Sequence, residues 1–210
     1  MRNDERLVAV LKPVVPVVNV KGQYNHLIVR LLTELGAESS LVPLSVSIRE
    51  LEEIGFNGLV AGGGPQSVYE ENSRRELRNL EHLLKENSEP LLCICVSHQL
   101  LAEALGGRTG PAKEPEYGRI TVHVDEEDEV LRGAGSSFTA WASHNDEVIR
   151  MPDGFQRLAH SQNCKIEAMR SSNRPIYGVQ FHPEVSHTTM GRTIFRNFVE
   201  IVKRNSTSGR

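Results

Sequence analysis

Residues Leu91–Gln99 read LLCICVSHQ, and this segment joins a buried strand to the start of a helix. The apolar run ends at Cys95, and a helical pattern follows from His98 to Leu105. A side chain at such a strand-to-helix turn projects above the carboxyl edge of a sheet, where open α/β sheets bind ligands. We therefore predict an α/β fold with Cys95 at its ligand-binding edge.

The flanking sequence changes character between the two halves of the chain. The first half alternates strands with helices, and the predicted strands cover 14–20, 38–42, 58–61 and 91–95. In the first of these strands we expect pairing to start after Pro16, which cannot donate to a ladder. Three helices are predicted in this half: one over 27–35, one that begins with a Ser73–Glu76 capping box, and one over 98–105. Short alternating strands follow near 120–124, 138–142, 155–160, 166–169 and 176–181, before a final helix.

This order predicts a three-layer, flavodoxin-like α/β domain over residues 1–202. Its central sheet is expected to be mostly parallel, with helices on both faces and an antiparallel extension. Residues 203–210 are rich in Ser, Thr, Asn and Gly, and we expect them to form a disordered tail.

Composition excludes several classes of function. The 210 residues are 39 % hydrophobic and 24 % charged, and the net charge is -3. This balance supports a folded core and argues against nucleic acid or an anionic membrane as the main partner. No apolar run approaches the roughly 20 residues of a membrane-spanning helix, so a cytoplasmic protein is expected. Three cysteines, an odd number, imply no disulfide framework.

The predicted turn at Cys95 suits a nucleophile. A helix N-terminus supplies free N–H groups that favour a reactive thiolate, and a tight elbow needs small residues two positions away, here Cys93 and Ser97. The alternative is that both cysteines are small core residues. Metal binding by this C-x-C pair is less favoured, because zinc pairs prefer two to four intervening residues.

A base for this nucleophile is present in the segment Gly178–Glu184, which reads GVQFHPE. His182 lies at the end of an apolar strand, and Pro183 favours an extended backbone there. Extended residues two apart point the same way, so Glu184 can orient the His182 ring. A polar loop without catalytic function is the alternative, but together with Cys95 these residues form a plausible Cys–His–Glu triad.

A glycine run, Gly62–Gly64, directly follows a predicted strand and precedes Pro65. Glycines there let backbone N–H groups approach a ligand closely, as an oxyanion hole requires. A dinucleotide site is poorly supported, because Pro65 and Ser67 disturb the spacing, and a P-loop is excluded by the missing Gly-Lys-Ser/Thr. A flexible turn is the remaining alternative.

These motifs resemble those of the class I glutamine amidotransferases. The family's G-x-C-x-G-H/M-Q motif resembles residues 93–99, its G-x-Q-F/Y-H-P-E motif resembles residues 178–184, and its glycine-proline loop resembles residues 62–65. Further stretches at 22–26, 141–148 and 182–188 resemble the glutaminase subunits of two-subunit GMP synthetases. Cys93 and Ser97 stand where the family has glycines, and Asn19 and Lys21 also depart from its pattern.

The resemblance implies hydrolysis of L-glutamine through a cysteine thioester. It assigns Cys95, His182 and Glu184 to catalysis and the N–H groups of Gly64 and Val96 to the oxyanion hole. The residues it assigns to glutamine binding are Gly62, Gln99, Asn145 and Asp146. It implies no metal or cofactor on this chain.

The resemblance also implies a partner. A separate ATP pyrophosphatase subunit, which holds ATP and Mg²⁺, would use the released ammonia to aminate xanthosine monophosphate. His144 and His187 are candidates to sense docking of that subunit. Two alternatives stay open: a silent regulatory subunit that binds glutamine, suggested by Cys93 and Ser97, and a γ-glutamyl hydrolase of the same superfamily.

Overall fold

A computed structural model describes residues 12–208, and its elements confirm the predicted α/β class. The strands are β1 (Val17–Asn19), β2 (Leu41–Pro43), β3 (Leu59–Ala61), β4 (Leu91–Ile94), β5 (Arg108–Val124), β6 (Ser137–Arg150), β7 (Phe155–His160), β8 (Ala168–Ser171) and β9 (Ile176–Val179). The helices are α1 (Asn25–Glu34), α2 (Ile48–Glu53), α3 (Glu71–Glu86), α4 (Val96–Ala104) and α5 (Gly191–Ser208).

The strands form one sheet in the order β2-β1-β3-β4-β9-β8-β7-β5-β6. From β2 to β9 the neighbours are parallel, and from β9 to β6 they are antiparallel. We call these two parts the parallel half and the antiparallel half. Because β3, β4 and β9 are adjacent and parallel, the loops after their carboxyl ends meet at one edge of the sheet.

Helices cover both faces of the sheet, as predicted. On one face Ile28 of α1 and Phe198 of α5 belong to the same apolar cluster. On the other face Leu51 of α2, Leu80 of α3 and Leu101 of α4 pack together in a second cluster. The sheet is therefore buried between two layers of helices, and its reactive edge is held by packing on both sides.

Two local features test the predicted boundaries. The strand β1 begins at Val17, but the prediction that pairing starts after Pro16 is wrong, because Val14 already forms a parallel bridge with Glu38 and the Val15 N–H donates to the Glu38 carbonyl at 2.8 Å. The predicted Ser73–Glu76 capping box is wrong, because α3 begins at Glu71 and Ser73 lies inside its first turn. A capping box instead opens α2, where the Ser47 hydroxyl accepts from the Glu50 N–H at 3.3 Å and the Glu50 carboxylate accepts from the Ser47 N–H at 2.8 Å.

The predicted tail boundary at residue 202 is wrong for residues 203–208, which continue α5. Contacts to the body of the protein hold this extension, including an ion pair of Arg204 with Glu129 at 2.7 Å and a hydrogen bond from Asn205 to Glu89 at 3.2 Å. Residues 1–11 and 209–210, the ends of the predicted domain and tail, lie outside the described residues. No helix within residues 12–208 is long and apolar enough to cross a bilayer.

Candidate active site

Cys95 occupies a strained elbow between β4 and α4. It is the N-cap of α4, with φ 55° and ψ −114°, a backbone conformation that residues other than glycine rarely adopt. Strained conformations of this kind persist only where surrounding structure enforces them, and they concentrate at functional sites. The elbow brings the thiol out of the buried strand and to the rim of a cavity, as the sequence predicts.

The turn at Cys95 accommodates Cys93 and Ser97, which stand where the family has glycines. Cys93 is fully buried in the apolar cluster shared with α3 and α4 and does not line the cavity. Ser97 is also fully buried, and its hydroxyl donates a 2.6 Å hydrogen bond to the carbonyl of Gly62. The Ser97 side chain therefore ties the elbow to the glycine run instead of crowding the turn.

The segment after β9 supplies the predicted base. Both His182 and Glu184 are buried, and Nδ1 of His182 lies 2.7 Å from Oε1 of Glu184. Burial opposes the charged imidazole, but hydrogen bonds from the ring to Cys95 and Glu184 outweigh it and raise the pKa of His182 to about 11. Because Glu184 holds Nδ1, the other ring nitrogen, Nε2, is available to the Cys95 thiol. A Cys–His–Glu triad requires this arrangement.

Two glycines explain how the distant motifs fit together. A Cβ at Gly178 on β9 would clash with the imidazole of His98, which follows the elbow. Burial lowers the pKa of His98 to about 3, so the ring packs there as a neutral group. A Cβ added at Gly63 would lie 3.0 Å from Cε1 of His182 and 3.5 Å from Cβ of Cys95, so only a glycine leaves that space for the reacting groups.

Both residues predicted to form the oxyanion hole lie at the cavity. Gly64 and Val96 both line the cavity that contains Cys95. Val96 is the first residue of α4, and N–H groups of a first helical turn have no acceptor within the helix. Gly64 packs so closely on the carbonyl of Val20 that a Cβ would clash there. The geometry is compatible with two backbone donors facing one oxygen.

The cavity has a volume of about 630 Å³ and carries most of the predicted glutamine-binding residues. Asp146 is held by two donors, the Ser67 hydroxyl at 2.8 Å and the Tyr69 hydroxyl at 2.6 Å. The side chain of Gln99 donates to the Asp146 carbonyl at 2.8 Å, and Asn145 is exposed at the rim. A fixed carboxylate in such a cavity suits an amino group of the substrate.

Two predicted residues are placed differently from expectation. Gly62 does not line the cavity, because its carbonyl faces Ser97 and its Cα packs against Asn25. Direct contact of Gly62 with glutamine is therefore not supported. His144 is buried at 5 % exposure, so it cannot act as a surface sensor, whereas His187 is exposed and its ring lies 4.8 Å from that of Trp141.

Sequence reasoning did not single out several residues that shape the site. Ser67 and Tyr69 hold Asp146, and Gln180 lies between the Gln99 amide at 3.1 Å and the Cys95 sulfur at 3.9 Å. The ring of Tyr24 meets that of His182 edge to face at 5.6 Å. Ser67 and Tyr69 lie in an irregular loop, where no periodic pattern marks a side chain as functional. Gln180 belongs to the GVQFHPE motif and Tyr24 to the stretch 22–26, so these two positions carried a detectable signal.

Comparison with known proteins agrees with this geometry. Residues 16–202 match the family model for class-I glutamine amidotransferases. The match covers far more than half of the chain, so the chain belongs to the class-I glutamine amidotransferase family. The class predicted from the three motifs is thereby confirmed.

Several relatives share a more specific description. The chain is 46 % identical to a subunit of the glutamine-hydrolysing GMP synthase of Ignicoccus hospitalis, over 90 % of this chain and 97 % of that protein. It is also 46 % identical to the corresponding GMP synthase subunit of Sulfolobus acidocaldarius, over 90 % and 99 % of the two chains. A crystal structure from Thermoplasma acidophilum, described as a GMP synthase subunit, is similar with a TM-score of 0.89 and 36 % identity, over 95 % of this chain and 98 % of that one.

A more distant structure supports the fold alone. A glutamine amidotransferase from Thermotoga maritima is 20 % identical, with a TM-score of 0.72 over 94 % of this chain and 93 % of that one. Its strands and helices therefore follow the same course although most side chains differ.

Proposed function

We propose that this chain is the glutaminase subunit of a two-subunit GMP synthase. The observation that carries the proposal is the buried Cys95–His182–Glu184 arrangement, which opens into a cavity with the fixed carboxylate of Asp146. The relatives described as subunits of glutamine-hydrolysing GMP synthase support GMP synthesis as the reaction that uses the ammonia. The substrate of the site is L-glutamine, whose side-chain amide reaches the thiol.

The chemistry follows from the geometry. The Cys95 sulfur attacks the amide carbon, and the N–H groups of Gly64 and Val96 stabilise the oxyanion, at about 3–4 kcal/mol for each donor. His182 gives its proton to the amide nitrogen, which leaves as ammonia and a thioester remains. His182 then takes a proton from water, and hydroxide attack releases glutamate and the free thiol. Glu184 keeps the ring oriented throughout.

The released ammonia needs a second protein. In neutral water it is protonated and loses its nucleophilic lone pair, so an acceptor site close to the cavity is required. We assign that acceptor to a separate ATP pyrophosphatase subunit, which binds ATP and Mg²⁺ and aminates xanthosine monophosphate. The chemistry of Cys95 requires no cofactor. The three cysteines are unpaired, which fits a reducing compartment, and we place the protein in the cytoplasm.

Reconstitution with that subunit tests the proposal. Glutamine labelled with ¹⁵N in its side-chain amide is supplied with ATP, Mg²⁺ and xanthosine monophosphate, and the label is followed by mass spectrometry. We expect labelled GMP from the pair and slow glutamate release from this chain alone. Glutamate without labelled GMP would favour a γ-glutamyl hydrolase, and no glutamate in either reaction would favour a silent glutamine-binding subunit.

A further inference from the structure

A buried group of metal-binding residue types lies in the antiparallel half, behind the glutamine cavity. We call Glu116, His144, Cys164 and Glu167 the inner cluster. Their candidate ligand atoms all lie within 4.8 Å of one another. Every member is at most 5 % exposed, and of the four only His144 borders the cavity. The proposed hydrolysis of glutamine uses none of these side chains, so their convergence has another cause.

Glu167 is the least satisfied member of the inner cluster. It is fully buried, neither of its carboxylate oxygens has a hydrogen-bond partner, and Oε1 lies 4.0 Å from Nε2 of His144. Glu116 lies beside it, accepting from the Ser161 hydroxyl at 2.7 Å and facing the same His144 nitrogen at 3.1 Å. Two carboxyl groups therefore share one imidazole, and a buried carboxylate without partners is costly.

The inner cluster places two buried carboxyl groups beside one thiol and one imidazole. Either a proton or a metal ion can relieve this crowding. A metal ion binds one oxygen of each carboxyl group together with the thiol and the imidazole, whereas a shared proton joins only the two carboxyl groups.

The orientation of His144 favours the metal. Its Nδ1 lies 3.1 Å from the carbonyl of Asp146, an acceptor, so Nδ1 carries a hydrogen, and Nε2 lies 3.1 Å from the Glu116 carboxylate within the inner cluster. Histidine ligands of metals usually donate their other ring N–H to a carbonyl or carboxylate in this way. The ring is thus oriented with Nε2 towards the inner cluster, and a metal there would replace any hydrogen that Nε2 shares with Glu116.

We propose that Glu116, His144, Cys164 and Glu167 form a structural Zn²⁺ site. One sulfur, one imidazole nitrogen and two carboxylate oxygens are ligands that zinc accepts, and four protein ligands leave no open position for catalysis. Ligands of a tetrahedral zinc lie about 3.3–3.8 Å apart, so side-chain shifts of about an ångström complete the site. Binding releases the thiol proton of Cys164, and also any proton held by Glu167.

A metal ion in the inner cluster stabilises the wall of the glutamine cavity that Asp146 forms. The Asp146 carbonyl accepts from both His144 and Gln99, and the Asp146 side chain faces the cavity. Fixing His144 therefore fixes the backbone that presents the glutamine-binding carboxylate. Sequence reasoning could not detect the site, because Glu116 and His144 come from two strands far from Cys164 and no ligand-spacing motif exists. The proposal departs from the expectation, implied by the family resemblance, of no metal on this chain.

The unaltered full chain, freed of any affinity tag, provides the first test. Metal content is measured by mass spectrometry after purification in the presence of EDTA, and we expect about one zinc ion per chain. The protein is then unfolded, stripped of metal, and refolded with EDTA or with Zn²⁺. We expect zinc to raise the Tm by about 8–16 °C. No retained zinc together with an unchanged Tm overturns the proposal and leaves a proton shared by the carboxyl groups.

Variants identify the ligands. Cys164→Ala and Glu167→Gln should retain less than about a tenth of the zinc, whereas Cys93→Ala, which removes a buried thiol outside the inner cluster, should retain all of it. Replacement of Zn²⁺ by Co²⁺ should give a thiolate-to-metal absorption band in the unaltered chain. Equal zinc in Cys164→Ala and in the unaltered chain, or no thiolate band, overturns the assignment. The unaltered chain decides the question even if a variant fails to fold.

Discussion

The two halves of the sheet handle polar groups in opposite ways. In the parallel half, β3, β4 and β9 are wholly buried and apolar, and reactivity is confined to the loops at their carboxyl ends. The antiparallel half instead buries carboxyl groups on or beside its strands, namely Glu116, Asp146, Glu147 and Glu167. The parallel half thus holds the reacting atoms rigidly, and the antiparallel half supplies charge for recognition.

This contrast predicts different kinetic effects in each half. Changes at the edge of the parallel half should lower kcat, because those groups act on the bond that breaks. Changes in the antiparallel half should raise KM for glutamine, because those groups hold the substrate in the ground state and the transition state alike. The substitutions below test this division in order of decreasing effect.

Cys95→Ala should produce the largest loss. Without the sulfur no thioester forms, so we expect glutamine-dependent GMP synthesis by the reconstituted pair to fall by at least about 10⁴-fold. Synthesis from ammonium should be unchanged, because the partner's chemistry does not involve the thiol. Both rates are measured by GMP formation. Cys93→Ala is the matched control, and its rate of glutamine-dependent GMP synthesis should stay within about tenfold of that of the unaltered chain, since Cys93 does not line the cavity. Glutamine use above about 1 % in Cys95→Ala would rule out the assigned nucleophile.

Glu184→Gln should lower kcat by about 10³-fold with little change in KM, because the amide no longer holds His182 in the productive tautomer. It should also change the pH dependence of stability. Folding raises the pKa of His182 to about 11, so its proton stabilises the fold fully below about pH 6.5, and this contribution is lost as the pH rises through about 11.

Chemical denaturation across this pH range measures the second effect. Loss of the Glu184 carboxylate lowers the pKa of His182 in the folded chain. The difference in unfolding free energy between the unaltered chain and Glu184→Gln should therefore be greatest near pH 6 and decrease towards about pH 10. A difference that stays constant over this range would mean that Glu184 does not hold the proton on His182.

Asp146→Asn tests the antiparallel half. Loss of a charge-assisted contact with the glutamine amino group should raise KM about 10- to 100-fold, while kcat changes by less than about fivefold. Tyr69→Phe removes the 2.6 Å donor to Asp146 but keeps the carboxylate, so a smaller rise of about threefold is expected. Initial rates of glutamate release against glutamine concentration give both constants. A fall in kcat at constant KM would contradict the division between the halves.

Strong local patterns made most of the fold and the triad predictable. The turn at Cys95 joins an apolar run to a helical pattern, and GVQFHPE places His182 and Glu184 two residues apart. The extended backbone predicted there is wrong, because Pro183 and Glu184 form a turn in which the Val185 N–H donates to the His182 carbonyl at 3.4 Å. Both signals are short and local in sequence, so they do not depend on contacts between distant elements.

Features that depend on contacts between distant elements were not predictable. The Ser73–Glu76 spacing fits a capping box, but Glu76 instead pairs with Lys21 at 2.5 Å, and the helix starts two residues earlier. The inner cluster gathers side chains from three separate segments, and only the sheet register brings them together. The ordered end of α5 depends likewise on Glu129, far away in sequence.

Ser97→Gly should have the smallest effect on turnover, although it restores the residue common in the family. It removes the 2.6 Å hydrogen bond to the Gly62 carbonyl and adds backbone freedom to the first turn of α4. We expect the free energy of unfolding to fall by about 1–2 kcal/mol and the Tm by about 3–8 °C, while kcat stays within about threefold of that of the unaltered chain. Ser97→Ala separates the two causes, because it removes the hydroxyl and keeps a helix-favouring residue. A kcat raised more than about tenfold by Ser97→Gly would show instead that the serine restrains the elbow, and that the parallel half of this chain is tuned for slow turnover.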